Sequence, residues 1–222
     1  MMATPVTIII CVITGGISLL AFNNQELLKK LLMNPYQVVH YKEYQRLFTH
    51  GFIHADYMHL FFNLFVFYSF GQQIELVFTE RQYFNIVFPE AVFWGEAAGI
   101  SRYLMLYIGA LLFATLPSII KHRDNDGYNS LGASGAVSAV LIAFIMMFPT
   151  AKLALFFVIP MPAWAAGILF FVYEGYMNKR GGTGIAHDAH IWGAVFGLIL
   201  ITVIQPEVWV RFLSELPFIN GL

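Results

Sequence analysis

Residues 132–149, GASGAVSAVLIAFIMMFP, carry no charged side chain and open on a cluster of glycine, alanine and serine. A helix crossing the hydrocarbon core of a bilayer needs about 20 largely apolar residues, and this run is close to that length. Five further runs have the same character, at 6–22, 57–78, 103–120, 153–173 and 189–204. The whole chain is 59% hydrophobic and 11% charged, whereas a soluble domain carries about a quarter charged residues. The pattern predicts an all-α membrane protein, a six-transmembrane-helix bundle. We read residues 1–222 as a single membrane domain, with an interfacial loop over 23–56 and a surface helix over 206–218.

The N-terminal stretch MMATPVTIIICVITGGISLLAF has no basic segment before its apolar core, so it reads as a retained first span rather than a signal peptide. A net charge of -1 leaves no basic patch for phosphates, which excludes nucleic acid as a partner. The single cysteine, Cys11, lies in an apolar run and forms no internal disulfide. No Cys/His spacing suggests a metal site, and no nucleotide or haem motif is present, so neither metal nor cofactor is expected. The expected partners are membrane lipid and transmembrane proteins, with no soluble partner.

Polar groups inside spans are costly and mark function by default. His59 and Asn63 stand four apart, on one face of the second span. Ser134 opens the fourth span, and His190 opens the sixth within Ala186-His187-Asp188-Ala189-His190. With six spans, the second, fourth and sixth enter from the same side, so His59, Ser134 and His190 share one depth. Gly193 and Gly197 form a G-x-x-x-G face on the sixth span, and Gly132, Gly135 and Ala136 are small residues on the fourth. Such faces let two helix backbones approach closely.

These residues suggest a nucleophile, Ser134, with His190 as its general base. Asn63 and His59, with backbone N–H groups near Gly132, suggest donors to an oxyanion. Gly135 removes a side chain from the path of an approaching substrate. No carboxylate stands where it would orient His190. Asp188 is two residues away and reads as a helix cap, so the expectation is a Ser–His dyad. The plainer readings are that G-x-x-x-G reports packing alone and that His187 is an interhelical hydrogen bonder.

The ordered set of a loop arginine, a following histidine, H-x-x-x-N, G-x-S-G and A-H-x-x-G resembles the rhomboid family of intramembrane serine proteases. Arg46 and His54 resemble the family's loop arginine and the histidine before the second span, with structural roles. Gln45 stands where the family has tryptophan, and Ser138 where an aromatic residue packs on the imidazole. The resemblance implies a cofactor-free serine endopeptidase of single-span membrane proteins, acting through an acyl-enzyme. It also implies a bacterial-type inner membrane protein with a cytoplasmic N-terminus and a site that opens outward. Loop charge favours the reverse orientation, because Lys29, Lys30, Lys42, Arg46, Lys121, Arg123, Lys179 and Arg180 fall on one side. The alternatives are a proteolytically inactive rhomboid-like protein that binds membrane clients and, behind it, a small transporter.

Overall fold

The computed structural model describes residues 4–155, 158–182 and 184–217. In chain order its helices are α1 (Pro5–Phe22), α2 (Gln25–Leu31), α3 (Pro35–His40), α4 (Arg46–Thr49), α5 (Tyr57–Thr79), α6 (Arg81–Val87), α7 (Glu96–Phe113), α8 (Leu116–His122) and α9 (Ser134–Met147). A two-stranded antiparallel hairpin follows, β1 (Lys152–Leu155) and β2 (Ile159–Pro162), and then α10 (Ala163–Arg180), α11 (His187–Ile204) and α12 (Glu207–Glu215). Among the described residues, four helical segments are long and apolar enough to cross a membrane: Pro5–Phe22, Tyr57–Thr79, Glu96–His122 and His187–Ile204. Large apolar side chains on them face outward, including Val12 at 67%, Leu20 at 66% and Val203 at 72% exposure. An apolar surface of this kind suits lipid rather than water. The protein is a multi-pass integral membrane protein built as an α-helical bundle.

The six-span expectation differs from this count for physical reasons. At 14 residues, α9 spans about 21 Å, shorter than the hydrocarbon core. It is enclosed by its neighbours, and every residue from Gly135 to Met147 except Leu141 is buried. The run 153–173 does not form one helix. Pro160 and Pro162 deny it interior N–H donors, so Lys152–Pro162 folds as the hairpin and α10 occupies 163–180 instead. The third run begins at Glu96, seven residues ahead of the sequence boundary near 103, and continues through a break at 114–115 into α8. The surface helix closes at Glu215, and the expected end at 218 lies outside the described residues.

Two polar arrangements fix the bundle. The side chain of Glu75 on α5 is fully enclosed and accepts from the Val6 and Thr7 N–H groups at 2.9 and 2.8 Å and from Thr7 Oγ1 at 2.6 Å. These are orphan donors of the first turn of α1, and a carboxylate there also meets the positive end of the helix dipole. Thr7 Oγ1 lies 2.7 Å from the Tyr103 hydroxyl of α7, which joins three helices at one end of the bundle. In the loop between α1 and α5, Arg46 Nη1 donates to the carbonyls of Lys29 and Leu32 at 2.8 Å, and Arg46 Nε donates to Glu43. A backbone bridge between Met33 and Ser130 ties that loop to the segment leading into α9.

The most extensive helix contact is between α9 and α11, and it is very close. A Cβ placed at Gly193 would collide with the Gly135 carbonyl, and one at Gly197 would lie 2.7 Å from Ala139 Cα. Neither backbone can yield cheaply. We therefore expect Gly193→Ala to destabilise the protein by about 1–3 kcal/mol, as overpacking does. Gly175→Ala on α10, where a Cβ meets nothing within 4 Å, is expected to be neutral or slightly stabilising. Unfolding of both variants in lipid bicelles checks the contrast.

Candidate functional site

Ser134 is the first residue of α9, and His190 lies in the first turn of α11. The close approach of these helices brings Ser134 Oγ to 2.7 Å from His190 Nε2. The other nitrogen, Nδ1, is 3.1 Å from Glu174 Oε1 on α10. Glu174 Oε2 lies 2.6 Å from His187 Nδ1. The side chains are 8% (Glu174), 4% (His187) and 16% (His190) exposed. A carboxylate only accepts, so Nδ1 of each ring carries its proton toward Glu174. That leaves His190 Nε2 as an acceptor for the Ser134 hydroxyl. A hydroxyl on a carboxylate-oriented imidazole is able to lose its proton as it meets an electrophile.

His59 and Asn63 project from the first turns of α5, whose start is capped by Asp56 accepting from the His59 N–H at 2.8 Å. Asn63 Nδ2 donates to the His59 carbonyl at 2.9 Å, and Asn63 Oδ1 is buried without a hydrogen-bond partner. Gly132 has φ +106°, a conformation that favours glycine, and a Cβ there would lie 2.9 Å from the His59 ring. Gly135 is equally hemmed in, since its Cβ would lie 2.6 Å from Ala114 and 3.2 Å from the Ala189 carbonyl. A cavity of about 20 Å³ lies beside Ser134, lined in part by His50, Ala114, Thr115 and Gly132. That is room for about one water molecule. At the position four after the serine, Ser138 Oγ donates to the Ser134 carbonyl at 2.8 Å. The His187 ring lies edge-on to that of His190 at 5.9 Å.

His54 holds the loop against this site. Ser18 donates its only hydroxyl proton to the Phe52 carbonyl at 2.8 Å, so His54 Nδ1 donates to Ser18 Oγ at 2.9 Å. His54 Nε2 then accepts from the Ala133 N–H at 3.5 Å, the residue before Ser134. Burial pushes the His54 imidazole down to about 3 and the His50 imidazole down to about 4. The His50 carbonyl in turn accepts from the Gly132 N–H at 2.9 Å.

Three sequence expectations are corrected here. The serine endopeptidase, with its hydrolase and protease labels, was inferred from a Ser134–His190 dyad standing without an acid. His190 is instead a member of a buried His/His/Glu cluster with His187 and Glu174, so an isolated dyad does not exist and the peptidase inferred from it is not carried forward. The same cluster corrects the expectation that no carboxylate orients His190, because Glu174 Oε1 lies 3.1 Å from Nδ1, and one ligand atom of each of the three residues lies within 4.8 Å of the others. Glu174 was missed because the apolar run was closed at 173, one residue short. The signal available was an acid beside an apolar run together with the i, i+3 pair His187 and His190. Asp188 does not cap α11 as expected: the N-cap position is Ala186, without a side-chain cap, and Asp188 lies within the first turn, accepting from the adjacent Ala189 N–H at 2.9 Å.

The rhomboid domain family matches residues 41–207, and the chain belongs to that family. It is 31% identical over 157 residues to RHOMBOID-like protein 12, mitochondrial, of Arabidopsis thaliana, covering 69% of this chain and 44% of the relative. It is 27% identical over 163 residues to the presenilin-associated rhomboid-like protein, mitochondrial, of Homo sapiens, covering 71% and 37%. Rhomboid protein 1, mitochondrial, of Saccharomyces cerevisiae is 26% identical over 150 residues, covering 67% and 38%. The matched segment spans less than half the length of each of these relatives.

The buried histidines give a pH signature. An unfolded chain protonates histidine near 6.5, while His54 and His50 stay neutral in the folded protein down to about 3 and about 4. The unfolded state therefore binds more protons below pH 6.5, and stability falls as the pH drops through that window. Melting at pH 7 and pH 5 is expected to show a larger loss for the wild type than for His54→Gln.

Proposed function

We propose that this rhomboid-family chain holds helical segments of membrane proteins at the polar site beneath the starts of α5, α9 and α11. The observation that carries this reading is the buried polar cluster itself: Ser134, His190, Glu174, His59 and Asn63 gathered in a bundle whose outer surface is apolar. Polar groups at that cost imply a polar client. In lipid, that client is a helix whose end has frayed and whose backbone N–H and C=O groups need partners. We assign Ser134, His190, His59 and Asn63 to contact with such a segment.

Two features support holding over cutting in this form. Asn63 Nδ2 donates to the His59 carbonyl of its own helix, which leaves the unpaired Oδ1 to accept from a client N–H. The cavity at Ser134 admits about one water.

We propose further that residues 1–222 form one domain, with α9 and α10 as short or polar spans that complete a six-helix bundle. We place the N-terminus on the cytoplasmic side of a bacterial-type inner membrane, with the site toward the opposite face. Of the opposing loop charges, Arg46 weighs least in this reading, because it is bound to carbonyls and Glu43 within the folded loop.

Photo-crosslinking in lipid nanodiscs tests client holding. A benzophenone amino acid replaces Trp192, 43% exposed two residues past His190, or Val203, 72% exposed at the far end of α11. A single-span helical protein with a destabilised helix end is expected to crosslink from position 192, be recovered uncut, and crosslink several-fold less from position 203. Equal capture at both positions, or Ser134-dependent cleavage of the client, would contradict holding as the function.

A further inference from the structure

The side chains of Glu174, His187 and His190 make one compact donor set whose chemistry client holding does not use. His187 and His190 are three apart on the first turn of α11, so both rings leave the same helix face. Glu174 comes from the adjacent α10 and presents one carboxylate oxygen to each ring, at 2.6 and 3.1 Å. All the donor atoms lie within 4.8 Å of one another, and all three side chains are at least 84% enclosed. Two imidazoles and one carboxylate form a donor set that suits a tetrahedral divalent ion with one position left for water. Zinc bonds of roughly 2.0–2.2 Å put neighbouring ligand atoms about 3.4 Å apart. The cluster is thus already near the required spacing, and small rotations of the side chains open it.

We propose that Glu174, His187 and His190 form a divalent transition-metal site, filled by zinc or a zinc-like ion, that governs the state of Ser134. The metal takes the lone pair of His190 Nδ1, so the ring proton moves to Nε2. Nε2 then donates to Ser134 Oγ across the 2.7 Å contact instead of accepting from it. Ser134 thereby loses the base that would receive its proton. Removal of the metal returns Nδ1–H to Glu174 and restores Nε2 as an acceptor. This site does not depend on client holding, and its test reads metal and serine rather than client.

The full chain in lipid nanodiscs, stripped with chelator, is titrated with Zn²⁺ against a competing metal dye. We expect one ion per chain, and binding at least about tenfold weaker in Glu174→Gln and in His187→Gln, a loss of the order seen when metal sites are altered. His40→Gln, which removes the exposed His40–Asp124 pair, is expected to bind as the wild type does. In parallel, the rate at which a fluorophosphonate labels Ser134 is expected to fall at least about tenfold with the same zinc dependence. Zinc should also raise the melting temperature of the wild type and leave that of Glu174→Gln unchanged, which separates ligand loss from misfolding. Failure to bind one equivalent, binding that survives both substitutions, or labelling that saturating zinc leaves unchanged would each overturn the proposal.

Discussion

The structure depends on how closely two backbones meet. Gly135 and Ala139 of α9 lie against Gly193 and Gly197 of α11 at a distance that leaves no room for a further carbon. Lipid supplies little hydrophobic drive between helices, so such contacts rest on dispersion and shape. The consequence is chemical as well as mechanical. Because α9 is short and begins within the bundle, its first residue stands beside the first turn of α11, and Ser134 reaches His190 at 2.7 Å. A longer α9, or a larger residue at position 193, would move the hydroxyl away from the imidazole.

The opposite end of the bundle is held differently. Glu75 is an acid near the C-terminal end of an apolar helix, and nothing in its own stretch of sequence explains it. Its partners are the first N–H groups of α1 and the Thr7 hydroxyl, with Tyr103 beyond. A buried carboxylate is tolerable when it is well hydrogen-bonded, and here three donors of α1 reach it, with the Tyr103 hydroxyl bonded to Thr7 behind them. The small-residue contact at one end and the hydrogen-bonded acid at the other keep α1, α5, α7, α9 and α11 in one register. That register brings His59, Gly132 and Ser134 to a common level.

The sequence was informative where the relevant partners share a pattern within one helix. Gly193 and Gly197 announced a packing face, and His59 with Asn63 announced a polar one. The depth argument from helix parity pointed to Ser134 and His190 before any geometry was available. It was uninformative where a group's meaning lies in a distant segment. Glu174 fell just outside an apolar run whose first half is a proline-containing hairpin, so hydropathy drew the span ten residues early. Glu75 lay inside a predicted span and was passed over, because only the start of α1 accounts for it. The role of His54 likewise depends on Ser18 and Ala133, residues 36 and 79 positions away.

The account turns on which nitrogen of His190 carries the proton. Glu174 dictates Nδ1, which leaves Nε2 facing Ser134 as an acceptor. Nitrogen-15 spectra of histidine-labelled, metal-free protein in lipid at neutral pH read this tautomer directly. The account predicts a neutral ring protonated at Nδ1, and loss of that preference in Glu174→Gln. A ring protonated at Nε2, and unchanged by the substitution, would contradict it.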